Sequence, residues 1–279
     1  MFKFWTITLI ICSALVFSAF NGLPDPFLHV YFLDVGQGDS IFIRTPSGKN
    51  ILVDGGPDDK VLTELSDVMP FFDRKLDLVV LTHAHSDHLN GLISVLKRYE
   101  VSSVLITGAL AKGAYYREFL DSIGDARLLI AESGRDFYFG DGVYFDVVFP
   151  IENINGQHFE NTNNASIVGR VVFGNHAILL TGDAEIESER WQLLTEFDLS
   201  GEIIKLGHHG SRTASSLAYL KNVTPSTGVI QCGVDNKFDH PHSESMENFS
   251  TVSTGKLLRN DLDGRVHFVF DQDRLFLSS

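Results

Sequence analysis

Cysteine is nearly absent. The 279 residues hold two, and one of them, Cys12, falls in an apolar leader. Cys232 is then left alone, so no intrachain disulfide staples the rest of the chain. Basic charge is scarce as well: 22 Lys and Arg face 36 Asp and Glu, for a formal net charge of −14. Bulk charge therefore does not hold this chain to nucleic acid, and a polyanion would have to be met at a local site, one with metal ions. No linker, repeat or low-complexity stretch interrupts the sequence. Hydrophobic residues at 44% and charged residues at 21% exclude disorder as the main state. The length suits one large domain or two small ones and is far beyond a disulfide mini-scaffold.

What is there begins with a targeting pattern. Lys3 is followed by residues 4–20, which carry no charge, as in the n- and h-regions of an export signal. Val16 and Ser18 make a −3/−1 pair for cleavage after Ser18, with cleavage after Ala19 as the alternative. A run of about 17 apolar residues is also the lower limit for an anchor. Residues 1–22 are thus expected to be a signal peptide or N-terminal anchor. The protein is expected to be secreted or extracytoplasmic, touching membrane only through that segment if it stays uncleaved. Residues 27–279 are expected to form one domain.

Periodicity predicts strands and helices in alternation. Strands are expected over 29–34, 40–45, 50–53, 76–81, 101–106, 127–130, 143–149, 166–173, 176–180, 202–206, 228–232, 265–270 and 274–277. Helices are expected over 58–69, 88–98, 115–123, 185–197 and 214–221, and a polar surface loop over 153–164. Each half is β-rich and then α/β, which suggests two sheets inside with helices outside.

The chemistry sits at strand ends. Thr82-His83-Ala84-His85-Ser86-Asp87-His88 follows a buried strand and opens a helix. Its H-x-H-x-D-H pattern offers three imidazoles and a carboxylate, a donor set for a borderline cation. In an extended loop His83 and His85 point the same way, while Asp87 and His88 turn toward a second, adjacent metal. Without a cation or partners, these clustered polar groups would be costly after an apolar strand. Gly182-Asp183 ends another strand, where a carboxylate can bridge two cations. Gly207-His208-His209-Gly210-Ser211 ends a third. One of its histidines is expected as a ligand, His209 rather than His208, and the other as a donor to a developing anion or leaving group.

These motifs, with Asp54-Gly55-Gly56, resemble the metallo-β-lactamase superfamily. Phe32-Leu33-Asp34-Val35-Gly36-Gln37-Gly38-Asp39-Ser40, Asn163-Asn164-Ala165-Ser166, the His208-His209 segment and His240-Pro241 resemble more narrowly the soluble hydrolase domain of the ComEC competence family. They also resemble the related phosphorylcholine esterases. The similarity runs from about His29 to Phe270, without ComEC's membrane channel. It implies an α/β fold of the αββα four-layer type, two divalent ions (Zn or Mn), and hydrolysis of phosphodiesters. Carried over residue by residue, the metal set is His83, His85, Asp87, His88, Asp183 and His209. The catalytic set is His208, Asp87 and Asp54, with Asp54 buttressing the metal loop rather than binding metal. Many members carry a histidine before the hairpin that leads to the bridging Asp. This chain reads Gln157-His158-Phe159-Glu160-Asn161-Thr162-Asn163-Asn164 there. His158 or Asn164 is left to serve, and the first metal site is expected to be weak or part-occupied. His240 is a further candidate for substrate or proton transfer.

The implied reaction is metal-assisted hydrolysis by an activated water. The expected substrate is a phosphodiester, with DNA among the candidates and no obvious protein partner. Lys205, Arg212 and Lys237 are too few for a phosphate track, which opposes a long polyanion. A small diester of the phosphorylcholine or teichoic-acid kind is the alternative, and a metal-binding module without turnover is another. The ComEC-like motifs argue against a β-lactamase.

Overall fold

The computed structural model describes residues 24–278; the expected signal or anchor, residues 1–22, lies outside the described residues. The first half runs β1 (Leu28–Phe32), β2 (Ile41–Arg44), β3 (Asn50–Val53), α1 (Lys60–Val68), β4 (Lys75–Leu76), β5 (Leu78–Val80), α2 (Ser86–Arg98), β6 (Glu100–Val101), β7 (Ser103–Ile106), α3 (Ala114–Ser122) and β8 (Arg127–Ile130). The second half runs β9 (Phe137–Tyr138), β10 (Val143–Phe149), β11 (Val168–Phe173), β12 (His176–Leu180), α4 (Ile186–Gln192), β13 (Ile203–Lys205), α5 (Leu217–Val223), β14 (Thr227–Ile230), α6 (Ser243–Val252), β15 (Leu257–Arg259), α7 (Asn260–Asp263), β16 (Val266–Phe270) and β17 (Leu275–Ser278).

Two large sheets result, ordered β17-β16-β1-β2-β3-β5-β7-β8 and β15-β14-β13-β12-β11-β10-β9. Their facing sides make the central core, with Val30, Phe32, Val80, Phe145, Val171, Ile178 and Phe268. Alternation assigns the other sides to the helices. Ile178 and Leu180 enter the central core, while Leu179 between them packs with Ile204, Leu220 and Phe249 on the outer layer. Leu52, Val79, Leu89, Leu92 and Phe119 form the outer layer of the first sheet. The expected αββα sandwich is the architecture observed. The turn Gly174-Asn175 joins β11 and β12, with Phe173 opposite His176.

Three differences have local causes. The helix expected over 185–197 stops at Gln192, where the Thr195 hydroxyl donates to the Gln192 carbonyl at 2.7 Å and competes with the helical bond. The helix expected over 214–221 begins instead at Leu217, because Ser216 accepts the Tyr219 N–H and caps it. Helix α6 was not expected: only Ser245 and Phe249 of its residues are buried, so it shows almost no apolar period.

Parallel pairing joins β3, β5, β7 and β8 in the first sheet and β12, β13, β14 and β15 in the second. Such pairs need crossovers, and the loops leaving β5, β12, β13 and β14 gather at their carboxyl ends, where ligands of α/β sheets bind.

Away from that end, His267 of β16 stacks on Tyr31 at 3.9 Å and meets His29 Nδ1 at 3.0 Å. Burial, then His29 and Arg265, push its imidazole down to about 4. A histidine depressed by folding lends stability above its unfolded pKa and loses it as pH falls. Thermal stability should therefore drop between about pH 6.5 and pH 4, and His267→Gln should flatten that drop in melting curves taken across the range.

Candidate metal centre

Leu81 follows strand β5 and the chain turns out into Thr82 and His83. Asp54 sits beside it at the end of β3, in a left-handed conformation with φ +58°. Its carboxylate accepts the Thr82 N–H at 2.8 Å and the Thr82 hydroxyl at 2.7 Å. It also accepts His88 Nδ1 at 2.8 Å. His83 Nδ1 in turn lies 3.2 Å from the Thr82 hydroxyl. One buried carboxylate thereby sets the tautomer of His88 directly and of His83 through Thr82, leaving both Nε2 atoms to face inward.

The loop that carries Asp54 reaches α2 only because side chains are missing. Gly55 N–H donates to His88 O at 2.8 Å and Gly91 N–H to Gly56 O at 3.1 Å. A Cβ on Gly55 would stand 2.5 Å from Leu92 N.

Asp183 lies at the centre. Its Oδ2 is 3.2 Å from His88 Nε2, 3.4 Å from His209 Nε2 and 3.8 Å from His83 Nε2. His209 Nε2 is also 3.4 Å from Asp87 Oδ2, and its Nδ1 donates to Gln231 O at 2.9 Å. His83, His88 and Asp183 thus form one group of ligand atoms within 4.8 Å, and Asp87, His88 and His209 another. Nε2 of His83, His88 and His209 are buried without a hydrogen-bond partner. Orphaned donor atoms converging on one carboxylate are costly unless a cation takes them, so the residues fit divalent metal.

Without metal, charge is traded among the ligands. Burial works to raise Asp183, but His209 and His88 overcome it and hold the carboxyl well below its ordinary range. Burial likewise lowers His88 and His209, yet Asp183 with Asp54, and Asp183 with Asp39, carry them well above it. His83 stays well below it through burial and the neighbouring His88.

The rim is made by His208, His85 and His240. His208 Nδ1 is 3.1 Å from Glu185 Oε1 and 3.2 Å from the Thr213 hydroxyl, its Nε2 is 4.0 Å from Asp183 Oδ2, and its side chain is 25% exposed. Both His208 and His209 hold positive φ, +49° and +54°, a conformation uncommon outside glycine and found where a site over-determines it. His85 lies ring to ring 4.5 Å from His83, with Nε2 against the Thr162 hydroxyl at 2.5 Å. The His240 ring is 5.4 Å from that of His208. Burial, then His209 and His208, push it down to about 4, so it stands neutral.

Two candidates belong neither to the close ligand groups nor to the rim. His158 is exposed and belongs to none of the close ligand groups among the described residues. Asn164 is buried, but its carbonyl oxygen accepts the N–H groups of Glu185 and Ser188 at 3.3 Å each and its amide donates to Glu187 at 3.0 Å. It ties down the start of α4 and has no oxygen left for a metal. Its neighbour Asn163 is the one with a buried, unpartnered carbonyl oxygen, its amide held by Glu185 at 2.8 Å.

Sequence reading missed Asp39 and Lys205 as members of the site. Asp39 Oδ1 is 3.2 Å from His209 Nδ1, and Lys205 reaches Asp39, Gly182 O and Asp183. The available signal was a lysine inside the apolar run Ile203-Ile204-Lys205-Leu206, since a buried charge must be paired.

Fold and cluster together define an αββα sandwich with a candidate metal site at the carboxyl ends of its strands. The sequence profile of the metallo-β-lactamase superfamily matches residues 33–234, and the chain belongs to that superfamily, whose members are mostly hydrolases and usually hold divalent metals. It is 31% identical over 254 residues to the competence protein ComA of Neisseria gonorrhoeae, covering 89% of this chain and 33% of that protein. It is 30% identical over 261 residues to recombination protein 2 of Haemophilus influenzae, covering 92% of this chain and 30% of that one. The chain thus spans about a third of the length of these relatives. In fold it resembles the solved structure of YhfI from Bacillus subtilis, with a TM-score of 0.52 at 14% identity over 84% of this chain and 97% of that one.

Proposed function

We propose that the protein is a two-metal phosphodiester hydrolase that works outside the cytoplasm. The observation that carries the reaction is the convergence of three orphaned imidazole nitrogens on Asp183. With the imidazoles neutral as ligands, Asp39, Asp54, Asp87 and Asp183 bring four carboxylates to the centre against the ammonium of Lys205. That surplus exceeds what one divalent ion offsets and favours two. The leader pattern of residues 1–22 supports the location.

Zn or Mn held by His83, His85, Asp87, His88, Asp183 and His209 would supply Lewis acidity and lower the pKa of a water. The protein's own part is orientation and proton handling. Asp54 and Thr82 keep Nε2 of His88 and His83 turned inward. Gln231 O does the same for His209. Glu185 and Thr213 fix His208 by Nδ1, so Nε2 is the atom that faces a phosphoryl or leaving oxygen entering over Asp183. His240 closes that side of the mouth as a neutral ring.

The names of the two relatives, a competence and a recombination protein, favour DNA as the diester. A second reading has its own support. A cleft of about 670 Å³ lies between the loop after β10 and α4, lined by Trp191, Phe159, Glu152, Glu160 and Glu187 with no Lys or Arg. It connects to the rim through Asn161, which donates to Glu185 at 3.0 Å. Carboxylates beside an exposed indole suit a small diester with a cationic group and repel a polyanion.

Rate against salt separates the two. Lys and Arg contacts to phosphate weaken steeply with salt, and a pocket-held small diester does not share that slope. The protein from the exported fraction, loaded with Mn²⁺ or Zn²⁺, should hydrolyse a bis-aryl phosphodiester with little salt dependence. A steep decline on DNA alone would select the nuclease. Cleavage of a β-lactam and of neither phosphodiester would refute the reading, and metallated protein that turns over nothing would be a binding module.

A further inference from the structure

Lys205 is as buried as any of the described residues, with 0% of its side chain exposed. It sits at the end of β13, behind the metal ligands and away from the mouth. Its ammonium has three neighbours. It pairs with Asp39 Oδ2, donates to the Gly182 carbonyl at 2.8 Å, and stands 3.5 Å from Asp183 Oδ1. All three imidazoles, by contrast, approach the other oxygen, Oδ2. The two oxygens of Asp183 are thereby divided between a permanent cation on one side and the metal ligands on the other. Asp39 extends the arrangement, since its Oδ1 meets His209 Nδ1 at 3.2 Å and its Oδ2 lies 3.9 Å from His88 Nδ1.

We propose that Lys205, with Asp39 as its counter-ion, is a positioning residue that reserves Oδ1 of Asp183 and so presents Oδ2 alone as the bridging atom. This rests on the two-metal reading above. Carboxylates can bind through one oxygen or through both. A chelating Asp183 would draw one ion onto both its oxygens and away from the shared position. The ammonium forecloses that choice, because a metal at Oδ1 would face a cation it cannot displace from a fully enclosed pair. The Gly182 carbonyl fixes the ammonium from the turn that carries Asp183 itself, so lysine and carboxylate move together. Asp39 serves both the lysine and His209, which couples the bridging atom to a terminal ligand.

The test uses Co²⁺ as probe on the full chain, with metal content, visible absorption spectrum and affinity as readouts. Lys205→Met alone strands Asp39 as a buried unpaired charge and is open to misfolding. The double variant Asp39→Asn with Lys205→Met removes both charges and leaves the site's net charge unchanged, so a difference reports loss of the Asp39–Lys205 pair and its contacts rather than a change in net charge. It should melt cooperatively, shift the Co²⁺ ligand-field bands and lose affinity by about tenfold or more, as loss of a ligand's supporting partner does. The same spectrum and affinity as the parent would overturn the proposal and leave Lys205 a packing residue. A crystal structure of the unaltered chain with Mn²⁺ decides independently of any variant. Oδ1 on Lys205 with Oδ2 on both ions supports the assignment, and a bond from Oδ1 to either ion overturns it. If the parent binds no Co²⁺ or Mn²⁺ at all, the two-metal reading itself falls.

Discussion

Asp183→Ala should strip tightly held metal from both positions and reduce phosphodiester turnover by more than about 100-fold, the upper range for merely losing a ligand's supporting partner. The reason is geometric. Among the described residues, Asp183 Oδ2 is the one carboxylate atom within 4.0 Å of His83, His88, His209 and His208 together, so its loss removes a shared contact rather than one of several equivalent ligands. The metal-free protein suffers too. His88 and His209 are held charged chiefly by this carboxylate, and removing one partner of a buried charged set costs about 3–5 kcal/mol. Their imidazoles should then titrate lower, visible as a shift in their proton resonances. His158→Ala, whose side chain is solvent-exposed, should leave metal content and rate as they were. Retention of two metal equivalents by Asp183→Ala, measured by elemental analysis, would show that the centre has been assigned to the wrong carboxylate.

Gly91→Ala should destabilise the fold and loosen metal although it touches no ligand. In an isolated helix the change is favourable by about 1 kcal/mol. Here a Cβ at residue 91 would fall on the carbonyl oxygen of Gly55, far inside van der Waals contact, and 2.7 Å from that of Asp58. Both obstacles are backbone, so α2 and the 54–58 loop must separate, at a cost of about 1–3 kcal/mol or more. Separation lengthens the bonds from Asp54 to His88 and Thr82, which orient two ligands at once. A fall in melting temperature together with a fall in metal affinity of about 10–100-fold is expected. Lys97→Ala, an exposed change on the same helix that breaks only the surface pair to Glu118, should do little. Were Gly91→Ala as stable and as metal-competent as the parent, the close docking of the Gly55 loop on α2 would be wrong.

Much of this site was legible in the linear sequence because its chemistry is local. His83, His85, Asp87 and His88 lie within six residues, and the apolar stretch before them announces a buried strand. Asp183 and the His208-His209 pair each follow a strand in the same way. The layered fold was legible for a related reason, since period-two strands alternating with helices admit few packings. The exceptions were elements with little apolar signal, such as α6, and ends decided by single hydroxyls, at Thr195 and Ser216.

The remainder belongs to contacts between residues far apart in the chain. Sequence alone determined which residue types could bind metal and that each stood at the end of a strand, because composition and periodicity are properties of short windows. Tertiary structure decided which of them meet. It put Asn164 to tying down α4 instead of serving as a ligand, and left His158 in solvent. It chose His209 to face Asp87 and Asp183 while His208 turned to Glu185. It also placed Lys205 and Asp39, 166 positions apart by their numbers, as a buried pair behind the metal ligands. A buried charge takes its meaning from the partner that balances it, and that partner is supplied by the crossing of two sheets rather than by any neighbour in sequence.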